Sequence, residues 1–574
     1  MRGLPLDDHA PKRFRMTHVA LPLILLLTIG LASSFFRSVP SRDYVWRLSS
    51  PQRDFRLPVR CPEQPAALAP AFSFEPDEEK KGEIIERLRG AVRIRTETFD
   101  GAPADGSDPW FDKFYAFEAY LKETFPDVID ALTLEHFATH ALLLTWKGTD
   151  ASLKPLVLMA HQDTVPVPEE TLDRWTHPPF EGYLDDEGWI WGRGVVDVKN
   201  LLIAELTAVS ELLNAGFNPT RTIHLAFGFD EEGGAVRSAR HIIDHFETLY
   251  GPDSIFLVID EGDLLPPADP DNPSRLAPPT SDSASSAPLF ITPSVGEKGS
   301  VNVQLSVNVP GGHSSVPPPH TAIGILSALV TALESNQPEP VLSPKNPWAE
   351  YWVCKSEYDP GRLDPKLREL LAHEKTWPDA AKWIANESLG YSARARLLST
   401  TQAVDIIAGG VKVNALPEEA HAIVNHRVGF DDSIAALKNR YIDLLTPIAE
   451  QYGLVVVGFD DGIPADTPRY VQLSLPRAGA EASPVAPSKG DVWNVFAATA
   501  RHLHPNAIVT PWLSAGGTDS RGYTNLTEAI YRYADVRPEQ RANPHTVDER
   551  LHADAHLSSV AFVHALVQNA DQWR

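Results

Sequence analysis

The sequence predicts an α/β protein: a mostly parallel sheet with helices on both faces, carrying a smaller inserted α+β module. Three observations lead there. Short apolar runs alternate with helical stretches from Glu78 to Ile259, as strands buried on both faces do. The pattern then changes, and "GSVNVQLSVNV" (299–309) alternates residue by residue, like a strand with one solvated face. Two Pro-, Ser- and Ala-rich stretches, 264–288 and 475–490, interrupt the regular pattern and read as loops.

Taken in order, Glu79–Val92 and Asp108–Thr124 are helix candidates, and Pro155–Ala160 is an apolar strand. A helix is expected from about Val198 to Asn214, a strand at Thr222–Phe229, a helix near Val236–Phe246 and a strand at Ser254–Ile259. The inserted module starts with the alternating strand and a helix at Ala322–Glu334. "DIIAGGVKVNALPEEAHAIVNHRVGF" (405–430) reads as two antiparallel strands, followed by a helix (Ser433–Tyr452) and a strand (Leu454–Phe459). This gives a four-stranded antiparallel sheet with two helices. The expected organisation is a catalytic body from 76–295 and 476–574, and an inserted lid domain at 296–475.

The 574 residues, 43% of them hydrophobic, suffice for two or three domains. The net charge of −25, from 51 basic and 76 acidic residues, argues against nucleic acid, whose phosphates need a basic surface. Cys61 and Cys354 are the only cysteines, so one disulfide is the maximum and no thiolate metal cluster can form.

Val19–Phe36 carries no charge and follows Lys12, Arg13 and Arg15. Its length is near the lower limit for crossing a bilayer, and the basic flank keeps residues 1–18 cytosolic. A type II transmembrane signal anchor at 19–36 with a lumenal stem at 37–75 is expected. The rival is a cleaved signal peptide ending near Ala32–Ser34, giving a secreted protein. The sequons Asn386-Glu-Ser and Asn525-Leu-Thr suit a lumenal body.

Several carboxylates and a histidine fall where predicted strands end or hand over to helices, the edge at which parallel sheets bind ligands. They are His161 and Asp163 in "VLMAHQDTVPV", Asp197 in "GRGVVDVKN", Glu231 and Glu232 in "FDEEGGA", and Asp260 in "LVIDEGD". His545 in "NPHTVDER" comes from the returning segment. Each alone has an ordinary reading: Asp197 as a helix cap, the glutamates as a solvated first turn. Two histidines and three carboxylates converging on one edge are instead the donor set of a divalent metal such as zinc.

In order along the chain, "HQDTVP", "GRGVVDVKN", "DEEGGA", "VIDEG", "GGHSS", "NALPE", "GGTDSR" and "HTVDER" resemble the dinuclear-zinc aminoacylase and carboxypeptidase metallopeptidase family. The resemblance implies a zinc-exopeptidase-like fold with two Zn2+ per chain. One metal would be held by His161 and Asp260, the other by Glu232 and His545, with Asp197 bridging. Glu231 would be the general base acting on a metal-bridging water, and Asp163 would orient His161. His313 in "VPGGHSSVPP" would stabilise the oxyanion, from its own chain or from the partner in a homodimer built through the inserted domain. Asn414, Arg427, Gly517, Thr518 and Arg521 match substrate-binding positions; either arginine suits a free carboxylate, and either suits a structural ion pair.

The implied activity is release of the C-terminal residue from short peptides of Gly-X type, in a membrane-anchored enzyme whose body faces the vacuole lumen. An amidohydrolase acting on N-acyl amino acids would use the same site. A non-catalytic receptor on a peptidase fold is the remaining alternative. The Trp-rich segment 335–400 is expected to reshape the pocket rim, with Trp348, Trp352, Trp377 and Trp383 serving packing.

Overall fold

The computed structural model describes residues 59–234, 237–262, 288–387 and 395–573. The expected tail and anchor (1–36), part of the stem and most of the loop 264–288 lie outside the described residues. Among those described, no helix is long and apolar enough to cross a membrane.

Helix α1 (Glu78–Val92) begins where Asp77 accepts a hydrogen bond from the Lys80 amide, capping an otherwise orphaned donor. After α2 (Lys113–Thr124), strands β1 (Thr133–Phe137) and β2 (Ala141–Trp146) form an antiparallel hairpin absent from the sequence reading. Its turn places Ala138 and Thr139 at φ 44° and 76°, without the Asn-Gly or Asp-Gly pair that marks such turns. Then β3 (Leu156–His161), α3 (Lys199–Asn214), β4 (Ile223–Gly228), α4 (Ala239–Tyr250) and β5 (Leu257–Asp260) follow the expected alternation.

Beyond β6 (Ser294–Glu297) the chain enters the second body through β7 (Gly299–Asn308), the short β8 (Gly312–His313) and α5 (Ala322–Ser335). Helices α6 (Trp348–Tyr358), α7 (Pro365–Leu371) and α8 (Trp377–Glu387) make up the Trp-rich segment. Next come β9 (Ala403–Gly409), β10 (Ala415–Leu416), β11 (Glu419–Val428), α9 (Ile434–Gln451), β12 (Val455–Val457) and β13 (Tyr470–Ser474). The returning segment supplies α10 (Asp491–Leu503), β14 (Trp512–Ser514), β15 (Ile530–Arg532) and α11 (Ala553–Gln572).

The main sheet has eight strands in the order β1-β2-β4-β3-β5-β15-β6-β14. It is mixed. The centre, β4-β3-β5-β15, is parallel, while β1-β2, β2-β4 and β15-β6 run antiparallel. One face packs against α1, α3, α10 and α11, the other against Phe111, Phe114 and α4.

The second sheet has five strands in the order β9-β11-β7-β13-β12, and β12 pairs with β13 in parallel. The four-stranded antiparallel expectation is therefore corrected. The missed strand β13 abuts the soft segment at 475, and it takes the place beside β7 that a hairpin partner would otherwise fill. Alternation along β11 sends Ala420, Ala422, Val424 and Val428 inward against α5 and α9.

Trp348, Trp352 and Trp377 are buried with Leu367, Ile384 and Leu513, so these tryptophans pack rather than line an open surface. Cys61 and Cys354 form a disulfide, fastening residues 59–75 to α6. Those residues also lie along the main body, where Gln64 bonds the Val509 carbonyl at 2.9 Å and the Phe72 amide bonds Gln568 Oε1 at 2.8 Å.

Candidate metal centre

Strands β4, β3 and β5 are neighbours, and His161 pairs with Gly228 at their carboxyl ends. Side chains leaving these ends share one small space. The His161 ring nitrogen Nε2 lies 3.1 Å from Asp197 Oδ1 and 3.8 Å from Glu261 Oε2. His545 Nε2 lies 2.7 Å from Asp197 Oδ2 and 3.0 Å from Glu232 Oε1. Asp197 thus faces both histidines. Donor atoms of His161, Asp197 and Glu261, of Asp197, Glu232 and His545, and of His161, Glu231 and Glu232 each fall within 4.8 Å of one another.

Local structure delivers each group. Asp163 is fully buried, and its carboxylate accepts the amides of Glu231 at 3.2 Å and Glu232 at 3.1 Å and the hydroxyl of Thr98. It also lies 3.3 Å from His161 Nδ1, which is 3.0 Å from the Asp163 carbonyl. This fixes the ring so that Nε2 faces the carboxylates. Asp230, at the start of the same turn, points the other way: it accepts the amides of Arg237 at 2.8 Å and Ser238 at 3.0 Å and pairs with the Arg237 guanidinium. The first carboxylate of the "DEE" run therefore holds the turn, and the next two enter the site.

The end of β5 departs from the sequence reading. Glu261, not Asp260, joins the donor cluster. Successive residues at a strand end diverge to opposite sides, and Asp260 turns to the Ser520 amide at 3.2 Å while its carbonyl accepts from Tyr533. Glu261, one residue past the strand, is 6% exposed and faces His161.

The electrostatics fit a divalent cation. Burial, with Glu261 beside it, pushes the Glu231 carboxyl well above the usual range. Burial and Asp197 do the same to Glu261, and burial raises Glu232 to about 7. Hydrogen bonds to Asp197 and Glu232 raise His545 to about 10. Like charges 4 Å apart cost about 4 kcal/mol at an effective dielectric of 20. A hydrogen bond to a charged group returns only about 1.5–3 kcal/mol. Two histidines cannot balance four carboxylates, so protons or metal ions must.

The remaining predicted residues are not among the grouped donors. His313 is exposed on the two-stranded β8–β10 sheet, where Nδ1 bonds Ser315 Oγ at 2.8 Å, and the Asn414 carbonyl accepts the Ser314 amide. Thr518 gives its amide and hydroxyl to the buried Glu297, at 2.8 and 2.7 Å. Gly517 precedes it in the same turn. Arg521 is committed to Glu297 at 3.7 Å and to the carbonyls of Lys298 and Glu481. Burial depresses both Lys298 and Arg521, and the nearby Arg427 charge adds to the effect; among the described residues no carboxylate pairs with Arg427. None of His313, Asn414 and Arg427 hydrogen-bonds a member of the cluster among the described residues.

Two further residues escaped the sequence reading. The Asp519 carboxyl sits over Gly228, where an added Cβ would stand 2.6 Å from Oδ2, and its charge raises Glu231. It lies inside "GGTDSR", so the motif was visible although the residue was passed over. Glu549, in "HTVDER", is fully buried behind the site.

A mixed α/β sheet with a His and carboxylate cluster at its strand ends has the donor set of a metal-dependent enzyme. The chain belongs to peptidase family M20/M25/M40, which it matches over residues 157–569. It is 37% identical over 503 residues to carboxypeptidase S of Saccharomyces cerevisiae, covering 85% of this chain and 84% of that one. It is 30% identical over 509 residues to the N-fatty-acyl-amino acid synthase/hydrolase PM20D1 of Homo sapiens, covering 86% and 89%. The M20 family metallo-carboxypeptidase Sso-CP2 from Sulfolobus solfataricus shares the fold, with a TM-score of 0.54 at 17% identity over 86% of this chain and 100% of that one. The protein is accordingly an M20 metallopeptidase-family enzyme.

Proposed function

We propose that this enzyme is a zinc carboxypeptidase that releases the C-terminal residue of short peptides, Gly-X substrates among them. The observation that carries the reading is the paired donor set, with His161 and Glu261 on one side of Asp197 and Glu232 and His545 on the other. These five would hold two Zn2+ ions. When bound, zinc polarises the scissile carbonyl and makes water acidic enough to attack near neutral pH.

The chain's own residues do the rest. Glu231 is not needed in either His–carboxylate set and lies within reach of both, so it takes the proton of the attacking water and returns it to the leaving amine. Asp163 fixes the His161 ring and the Glu231–Glu232 backbone together. His313, of this chain or of a partner copy, donates to the oxyanion, and Asn414, Gly517 and Thr518 shape the substrate cleft. Arg521 is occupied by Glu297, whereas among the described residues no carboxylate pairs with Arg427, which favours Arg427 as the ligand of the substrate's free carboxylate.

A second reading, hydrolysis of N-acyl amino acids, is favoured by the likeness to PM20D1. Three substrates separate the readings: blocked Gly-Leu, its C-terminal amide, and an N-acyl leucine. Blocked Gly-Leu should be cleaved best, and the amide at least about tenfold more slowly, since one charge-assisted hydrogen bond is worth about 1.5–3 kcal/mol. Cleavage of the acyl leucine alone would overturn the peptidase reading.

We also assign the enzyme to the vacuole, as a type II membrane protein with its catalytic body lumenal. The Cys61–Cys354 disulfide and the exposed Asn525 sequon suit an oxidising, glycosylating compartment. Endoglycosidase treatment of full-length protein from its native cells should increase its gel mobility. Unchanged mobility, with both cysteines found reduced, would sink the assignment.

A further inference from the structure

Glu549 lies outside the donor set, yet both its oxygens serve the loop that carries Asp197. Oε2 accepts from Arg193 Nη1 at 2.5 Å and from the Gly194 amide at 3.1 Å. Oε1 accepts from the Val196 amide at 2.9 Å and, more weakly, from the Asp197 amide at 3.3 Å. The Glu549 carbonyl accepts the Gly192 amide at 3.0 Å. A fully buried carboxylate with an arginine partner and several backbone donors has its charge compensated, so this contact is specific rather than incidental.

Both loops it joins contain left-handed backbone. Gly194 is in the left-handed region at φ 83°, with Thr164 against the position of a Cβ. On the other side Asn543, His545 and Asp548 have φ of 59°, 61° and 63°, conformations that cost non-glycine residues energy and persist only where surroundings impose them. Pairing of Arg550–His552 with Trp189–Trp191 brings the loops together. Asp548 adds bonds to the Thr176 amide at 2.7 Å and hydroxyl at 2.9 Å.

We propose that Glu549 is a positioning residue that sets Asp197 and His545 at ligand distance from each other before metal arrives. The inference rests on the reading of those two residues as metal ligands. It joins "GRGVVD" and "HTVDE", over 340 residues apart, into one unit: each supplies half of the same hydrogen-bond set.

Hydrogen–deuterium exchange on full-length protein stripped of metal tests this without reference to activity. In the wild type, peptides spanning 192–198 should stay protected after chelation. In Glu549→Gln, which keeps the shape but turns an amide group towards N–H donors, their exchange should rise at least tenfold while peptides of α11 hold. Zinc titration of the same proteins should show affinity about 10–100-fold weaker in the variant, as for other partners behind a metal ligand. Rapid exchange of 192–198 in the metal-free wild type would overturn the proposal. So would a variant that loses thermal stability yet binds zinc within twofold of wild type. If Glu549→Gln does not fold, the wild-type exchange result decides. A wild type that takes up no zinc would sink the metal reading itself, leaving the exchange result to report on Glu549 alone.

Discussion

Glu231→Gln should lower kcat by about 10^2–10^4-fold, the range that one positioned acid–base group contributes, while leaving zinc content unchanged. The substitution is isosteric, and the Glu231 amide remains bound to Asp163 at 3.2 Å, so the turn that also carries Glu232 is undisturbed. Burial and neighbouring Glu261 make Glu231 a stronger base than an exposed glutamate, and a glutamine has no basicity to tune. The measurements are kcat on blocked Gly-Leu and zinc per chain by elemental analysis. Activity within tenfold of wild type would remove Glu231 from the base role. Loss of metal together with activity would instead make it a ligand.

The second large effect separates neighbours at the end of β5. Glu261→Ala should strip metal from the His161 side of the site, weakening it by more than the about 10–100-fold that loss of an outer-shell partner costs. Turnover should fall with it. Asp260→Asn should retain metal, because that side chain serves the Ser520 amide at 3.2 Å rather than the donor cluster. The check is zinc retained after dialysis against a buffer of fixed free zinc. Metal lost from Asp260→Asn and kept by Glu261→Ala would restore the assignment read from sequence.

That reversal shows where legibility ended. The motif "VIDEG" announced a carboxylate at a strand end, but not which of two adjacent carboxylates would turn inward. The choice depends on where β5 stops, and Asp260 is its last residue, paired across to Arg532 on a strand about 270 residues later. A long-range contact ends the strand, and local pattern carries no record of it. The β1–β2 hairpin was missed for a comparable reason. Its turn residues, Ala138 and Thr139, adopt left-handed conformations that their neighbours impose, and neither residue type advertises such a turn. Strand β13 was lost because a five-residue run beside a soft segment has too little periodicity to stand out.

Arg521 and Arg427 make the same point for binding. Both were equally suited to a carboxylate when only the sequence was in view. Glu297, buried under Thr518, Arg532 and Arg521, claims one of them. Asp230 is the converse case, an acid in a catalytic motif that local contacts with Arg237 and Ser238 assign to holding the turn.

By itself the sequence determined the strand–helix alternation, the insertion of a second α+β body, and the meeting of two histidines with several carboxylates at one sheet edge. The alternation and the strand-end carboxylates follow from hydrophobic period and from the rule that strand ends present ligands, both of which are local. Only the tertiary structure decided that Glu261 rather than Asp260 faces inward, that Glu297 claims Arg521, and that Glu549 ties the Asp197 loop to the His545 loop. Those outcomes depend on groups far apart in the chain competing for the same few hydrogen bonds, and such competition is settled only when the sheet has formed.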